Sequence, residues 1–453
     1  MHRLAPLHRL PLQAARLIRM LRSVRPGLAL ALGAVVLAGF TPAAAAATCE
    51  PDAEAASGGI VRVCMPTSMA WNNDVVIYAH GYVEANRPKG IPEEQLCLAG
   101  GSFCLPDITN ALGFAFVTTS YRTNGLVLDG VADVLEALEV FKTAHGVPRH
   151  VYLVGASEGG LVTTLGVEQH PDVFSGGLAA CGPIGDMDRQ IAYYADFRVL
   201  FDYFFPGLMP GTVEGVPDEA IDTWDSLWNA TLKPAVFAPE NADKLMQLLR
   251  TARTSHMPSD PATIELAVHD ALWYNIFATN NLIATLGGEP YDNLATKYMG
   301  SSDDTALNAA VMRVSGDDAA FAAVDAHLQT SGQLAVPLVT LHTWMDQQVA
   351  YRQELLYSMK VKNAGATSQR VLYPVFRYGH CNFTPVQALV SFAIMVAKVM
   401  GAPPAGAELL LPDAADRQIY LDSLAARGYV TSGAGSGAST PTTTPKRQTV
   451  STD

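Results

Sequence analysis

The chain has 453 residues, 49% of them hydrophobic and 16% charged, which is too apolar for a disordered polymer and enough for one large domain with insertions or about three smaller ones. Its formal net charge is −13, and because all six charged residues before Cys49 are arginines (Arg3, Arg9, Arg16, Arg19, Arg22 and Arg25), the remainder carries −19. A surface that acidic lacks the basic footprint of a phosphate binder, which excludes nucleic acid as a partner.

Residues 1–47 read as an export signal. An Arg-rich stretch leads into the apolar run 27–40 and then into TPAAAAAT, where Ala45-Ala46-Ala47 fits an A-x-A cleavage site. At about 14 residues the run is short for a bilayer span, so the expected product is secreted or periplasmic, with no stable membrane insertion after cleavage. Six cysteines, all beyond residue 47, suit an oxidising compartment. Local spacing favours Cys49–Cys64 and Cys97–Cys104 and leaves Cys181 and Cys381. None shows zinc-ligand spacing, and neither metal nor cofactor is expected.

Short β-branched runs then alternate with helical patterns in two blocks. The first predicts strands over 60–64, 75–80, 114–120 and 151–155, with a helix over 131–145 whose apolar face is Val131, Val134, Leu135, Leu138 and Phe141. A helix follows Ser157, then a strand over 177–181. The second block predicts a strand over 337–341, a helix over 347–361, a strand over 370–376 and a helix over 385–400. This alternation implies an α/β class with a mostly parallel central sheet and helices on both faces.

Between the blocks the strand signal disappears, and 185–334 reads as aromatic-rich helices holding three of the five tryptophans. The expectation is a helical cap over a site, with most of its rings forming the cap's own core. The chain thus divides into 1–47, a core over 48–184 and 335–430, the cap at 185–334, and a Gly/Ser/Thr/Pro tail at 431–453.

Val151-Tyr152-Leu153-Val154 runs into Gly155-Ala156-Ser157-Glu158-Gly159 and a helix-compatible segment. This is G-x-S-x-G in a strand–turn–helix context, which lifts a serine hydroxyl to the carboxyl edge of a sheet beside a helix N-terminus. A serine needs a base, and the base an orienting acid. Asp346 follows the strand at 337–341, and Gly379-His380 ends the strand at 370–376, so both fall at the edge occupied by Ser157. His342 precedes the acid and is expected to buttress its loop. The oxyanion donors expected are the backbone N–H groups of Glu158 and of Tyr82, in the His80-Gly81-Tyr82 turn. The His80 side chain reads as structural.

The order HGY, GASEGG, HTWMDQQV, YGHC resembles the α/β-hydrolase superfamily of serine hydrolases over about residues 60–400, which implies that fold, with the cap inserted after the sixth strand. Tyr121-Arg122 is similar to a strand-end motif of prolyl-oligopeptidase-like hydrolases, where Arg122 would pair with a core acid or hold a substrate carbonyl. Too few residues precede the core for the propeller of those enzymes. A narrower resemblance is to feruloyl esterases and tannases, which bridge a Cys after the catalytic His to one before the Ser. His380-Cys381 matches and Ala156 does not; Cys181, at the end of the strand after the nucleophile helix, falls at the same edge and is expected to bridge Cys381 instead and pin the His380 loop. The expected function is a secreted carboxylic ester hydrolase, acting on a small-molecule or polymeric ester whose acyl group is apolar or aryl. A propeller-free serine peptidase and a non-catalytic binding protein on the same scaffold are the alternatives.

Overall fold

The computed structural model describes residues 47–429 apart from 99, 100 and 102. The expected leader (save Ala47) and the expected tail lie outside the described residues. Nine strands form one sheet: β1 (Thr48–Cys49), β2 (Ala53–Glu54), β3 (Ile60–Met65), β4 (Asp74–Ala79), β5 (Ala115–Thr119), β6 (His150–Ala156), β7 (Gly176–Ala180), β8 (Leu338–Met345) and β9 (Arg370–Tyr378). Their order is β1-β3-β5-β4-β6-β7-β8-β9, with β2 paired to β3 off this path. The pairing of β3 with β5 is antiparallel, and from β5 to β9 every pairing is parallel.

Side chains alternate across the central strands and so build two cores. Val75 and Ile77 face a layer holding Val134, Leu138 and Phe141 of helix α2 (Gly130–His145). Val76 and Tyr78 face the other layer, formed by Ile108 of α1 (Leu105–Ala111) and Leu389 and Val390 of the helix Pro385–Met400. That last helix starts where Thr384 and Gln387 close a reciprocal cap and Pro385 supplies a preset first turn. Helix α3 (Glu158–Gln169) follows β6 directly.

Between β7 and β8 the chain is helical, beginning with α4 (Met187–Phe204), whose N-terminus is capped by the Asp186 side chain. Phe197, Phe201, Trp224, Trp228, Leu248 and Leu272 form a core belonging to this insert. The insert follows the sixth strand of the continuous path.

The structure departs from the sequence reading at the Asp346 loop and near the end of the described residues. Strand β8 continues to Met345, and the next helix begins at Arg352 rather than at 347. The cause is Asp346, whose Oδ1 accepts the N–H groups of Gln348 and Val349 and holds a turn where periodicity suggested helix. A C-terminal helix, Ala414–Ala425, was not anticipated; it buries Tyr420 and Leu424 in the core of the Pro385–Met400 layer. Among the described residues no helix is long and apolar enough to cross a membrane.

Candidate active site

Ser157 sits between β6 and α3 with φ 57° and ψ −124°, a backbone conformation that L-residues avoid. The flanking glycines permit it. A Cβ on Gly155 would run into the Gly159 carbonyl, and one on Gly159 into the Ala79 carbonyl. Strand and helix can approach this closely only without side chains at those two positions. The Ser157 N–H donates to Ala180 O at 2.9 Å, which ties the turn to β7.

The structure brings Ser157, His380 and Asp346 together from three sheet strands. His380 Nε2 lies 2.9 Å from Ser157 Oγ, and His380 Nδ1 lies 2.8 Å from Asp346 Oδ2. Asp346 is fully buried. Burial by itself would raise its carboxyl, but His380 and His342 more than offset this and hold it well below the usual carboxylate range. With Oδ1 occupied by Gln348 and Val349, only Oδ2 faces the imidazole, so the ring is held in one orientation.

The turn after β4 is anchored on every side. Gly81 N–H donates to Gln95 Oε1 at 2.7 Å, and Gln95 Nε2 donates to Tyr82 O at 3.1 Å. His80 is buried, which pushes its pKa down to about 4 and keeps the ring neutral. Its Nδ1 lies 2.6 Å from Gly81 O, to which it donates as the Nδ1–H tautomer. In a planar trans peptide the Gly81 C=O and the Tyr82 N–H point in opposite directions, so the bond from His80 also sets the direction of that N–H. The Tyr82 N–H has no acceptor among the described residues. The N–H of Glu158, at the first turn of α3, is one of the helix's free donors. A Cβ on Gly81 would stand 3.0 Å from Ser157 Cβ, so a side chain there would press the turn away from the serine. Tyr121, in turn, donates from its hydroxyl to His80 O at 3.0 Å and packs its ring 4.3 Å from the imidazole.

The helical insert closes over Ser157. A cavity of about 70 Å³ is lined by Ser157, Glu158, Tyr82, Leu126, Met187 and Ile191, with Tyr194 and Tyr274 also on its wall. Those two rings stack at 4.4 Å. The insert also grips the Asp346 loop: Tyr193 and Tyr194 donate to the carbonyls of Gln347 and Gln348 at 2.6 and 2.9 Å. The side-chain amides of Gln347 and Gln348 both donate to Asp270 Oδ2 at 2.8 Å. Neither Gln95 nor Asp270 carried a sequence signal, because each acts by reaching a loop distant in the chain.

Arg122 does not line the cavity at Ser157. Its Nε donates to Asp133 Oδ1 at 2.7 Å and its backbone N–H to Asp133 Oδ2 at 3.0 Å, a structural pairing. Cystine bonds join Cys49 to Cys64, Cys97 to Cys104 and Cys181 to Cys381. The last lies at the site, with Cys381 Sγ 3.6 Å from His380 Nε2. Cys181, His380 and Cys381 are the one cluster of metal-ligand types among the described residues, and with both sulfurs oxidised it offers no thiolate.

No family model matches the chain, and no curated protein matches it. Among solved structures it is similar to the acylaminoacyl peptidase of Pyrococcus horikoshii, at TM-score 0.37 and 12% identity, over 78% of this chain and 41% of that one. It is similar to feruloyl esterase B from Aspergillus oryzae at TM-score 0.40 and 14% identity, over 76% and 79% of the two chains. For the Pyrococcus furiosus esterase Pf2001 the values are 0.35 and 11%, over 74% and 83%. The chain therefore spans less than half of the peptidase and most of each esterase. Its own strand order, with an antiparallel entry followed by parallel pairings and a nucleophile turn between β6 and α3, is that of the α/β-hydrolase fold.

Proposed function

We propose that the protein is an exported serine hydrolase that cleaves carboxylic esters. The observation that carries this reading is the unbroken line from Ser157 Oγ through both nitrogens of His380 to Asp346 Oδ2. In the proposed cycle His380 Nε2 takes the Ser157 proton as Oγ attacks the ester carbonyl, and the buried Asp346 carboxylate stabilises the imidazolium. The Tyr82 and Glu158 N–H groups receive the oxyanion of the tetrahedral intermediate. His380 then returns its proton to the departing alkoxide, leaving an acyl group on Ser157. Water, deprotonated by the same imidazole, hydrolyses that acyl-enzyme.

Three disulfides support a route through an oxidising compartment, as the arginine-rich leader suggests. The small, mainly apolar cavity supports a short apolar or aryl group beside the serine.

The test is fluorophosphonate labelling of wild type and Ser157→Ala, followed by turnover of p-nitrophenyl esters and of a Pro-containing aminoacyl anilide. Labelling and ester turnover that vanish in the alanine variant, with the anilide untouched, establish the esterase. Anilide cleavage at comparable kcat/KM replaces it with a peptidase. A folded protein that takes no label is a binding protein on a hydrolase scaffold.

A further inference from the structure

Beside the cavity under the insert there is a larger one, of about 110 Å³, on the sheet face covered by α1 and the helix Pro385–Met400. Its floor is the buried row Val76, Phe116, Val154, Leu178 and Leu341, and Leu389 of the last helix packs across it. The cavity follows the strands towards the catalytic edge. On β6 its wall passes from Val154 to Ala156 and on β7 from Leu178 to Ala180, steps that keep to one face and climb about 7 Å. Burial falls in the same direction: Val154 and Leu178 are buried, while Ala156, Ala180, Gln95 and Cys381 form a partly exposed rim.

That rim is in contact with the catalytic groups. Ala156 precedes Ser157, and Gln95 Oε1 accepts the Gly81 N–H at 2.7 Å and so holds the oxyanion turn. Cys381 Sγ lies 3.6 Å from His380 Nε2, which is itself 2.9 Å from Ser157 Oγ. The wall also offers water little. Its Gln95 amide is engaged by Gly81 and Tyr82 and its Thr109 hydroxyl by the carbonyls of Leu105 and Pro106, which leaves the Tyr78 hydroxyl as the remaining polar side-chain group. A buried water needs about two to four polar partners, so the space suits hydrocarbon.

The proton decides which half of an ester it takes. His380 Nε2 must hand its proton to the departing alkoxide, so the leaving oxygen and the carbon chain on it lie on the His380 side of the tetrahedral carbon. Cys381, in contact with Nε2, belongs to the wall of this cavity, whereas the described residues lining the cavity under the insert include Ser157, Glu158 and Tyr82 but neither His380 nor Cys381. We propose that the sheet-side cavity is the subsite for the alcohol half of the substrate, and that this alcohol is uncharged and apolar, an unbranched alkyl or a single-ring arylalkyl group of about six carbons, the size an apolar cavity of this order accepts. This rests on the ester-hydrolase reading above, with the acyl group under the insert.

The test compares kcat/KM for ethyl, butyl and hexyl esters of one short acid, and for ethyl esters of acids of rising length, in wild type and Ala388→Leu. Ala388 lines the cavity from the helix Pro385–Met400, where leucine is a good helix former and its larger side chain fills the space. In wild type each buried methylene of the alcohol raises kcat/KM by about threefold to fourfold, or about 10² from ethyl to hexyl. In Ala388→Leu that ratio falls towards one while the acyl series keeps its order. A wild type indifferent to alcohol length, yet active on p-nitrophenyl esters, overturns the subsite alone. So does a folded Ala388→Leu that keeps the wild-type alcohol preference or changes the acyl order instead. Should the variant not fold, product inhibition of wild type decides: 1-hexanol competes with the ester at least about tenfold more tightly than ethanol, and equal competition overturns the proposal. A folded wild type that cleaves no ester overturns both readings.

Discussion

Nε2 of His342 lies 3.5 Å from Oδ2 of Asp346, with both side chains fully buried. That oxygen also accepts from His380, so two imidazoles share one carboxylate. His342 donates from Nε2 to Val349 O at 2.8 Å, and its Nδ1 is 3.4 Å from Glu354 Oε1. Glu354 is in turn held by Arg370 and by the Thr340 hydroxyl. Burial opposes a charge on His342, but Asp346 and Glu354 more than offset it and hold its pKa at about 10. Behind the candidate base there is thus a row of alternating charge, from Asp346 through His342 and Glu354 to Arg370.

Removing the cation from this row should be costly. His342→Gln is expected to lose about 3–5 kcal/mol of stability at pH 6, the usual penalty for breaking a buried pair. Since the folded state binds this proton up to about pH 10 against an ordinary value of 6.5, the contribution is complete below 6.5 and is lost as pH rises towards 10. Urea unfolding at pH 6, 8 and 9.5 should show the gap between wild type and variant closing with pH. A gap that does not change would mean that His342 is neutral in the fold.

The turn at His80-Gly81-Tyr82 should be intolerant of small changes. Gly81→Ala places a methyl 3.0 Å from Ser157 Cβ and 3.1 Å from Gln95 Oε1, so the turn must move away. Loss of one oxyanion donor predicts a fall in kcat of about 10²–10³ with little change in the unfolding midpoint. His80→Phe, which fills the same space but cannot bond Gly81 O, should reproduce most of that fall. Steady-state kinetics beside thermal melts would separate both from misfolding.

Cys181 and Cys381 close a loop of 200 residues and hold the residue after His380. Replacing both by alanine is expected to cost about 3–5 kcal/mol through the freed unfolded chain. It should also lower kcat at least tenfold while KM changes little, because the His380 loop is released. The Cys49/Cys64 double alanine variant is the control: it should lose stability and retain kcat.

Tyr274 stacks on Tyr194 and walls the cavity from the insert side. Tyr274→Ala should move the best substrate in a series of p-nitrophenyl esters towards longer acyl chains. An unchanged optimum would place the acyl group outside this cavity.

Much of the framework was legible in the chain. The glycines around Ser157 mark a turn that the fold needs for local reasons, and the alternation of Val75, Val76, Ile77 and Tyr78 assigns a strand buried on both faces. The turn at Asp346 was misread as the start of a helix, because a side-chain cap of two N–H groups competes with helical periodicity and leaves no mark in it. The helix Ala414–Ala425 escaped notice for a related reason: its burial rests on Tyr420 and Leu424 alone, too few for a periodic signal.

What the sequence determined by itself was the type of each element and the residues able to do chemistry, since backbone preference and period depend on near neighbours. What only the tertiary structure decided was which groups meet. Ser157 and His380 are 223 residues apart, and Tyr193 reaches the Asp346 loop from 154 residues away. The state of Glu158 belongs to the same class. Burial raises its carboxyl well above the ordinary range, and desolvation is a property of the packed volume rather than of any local pattern.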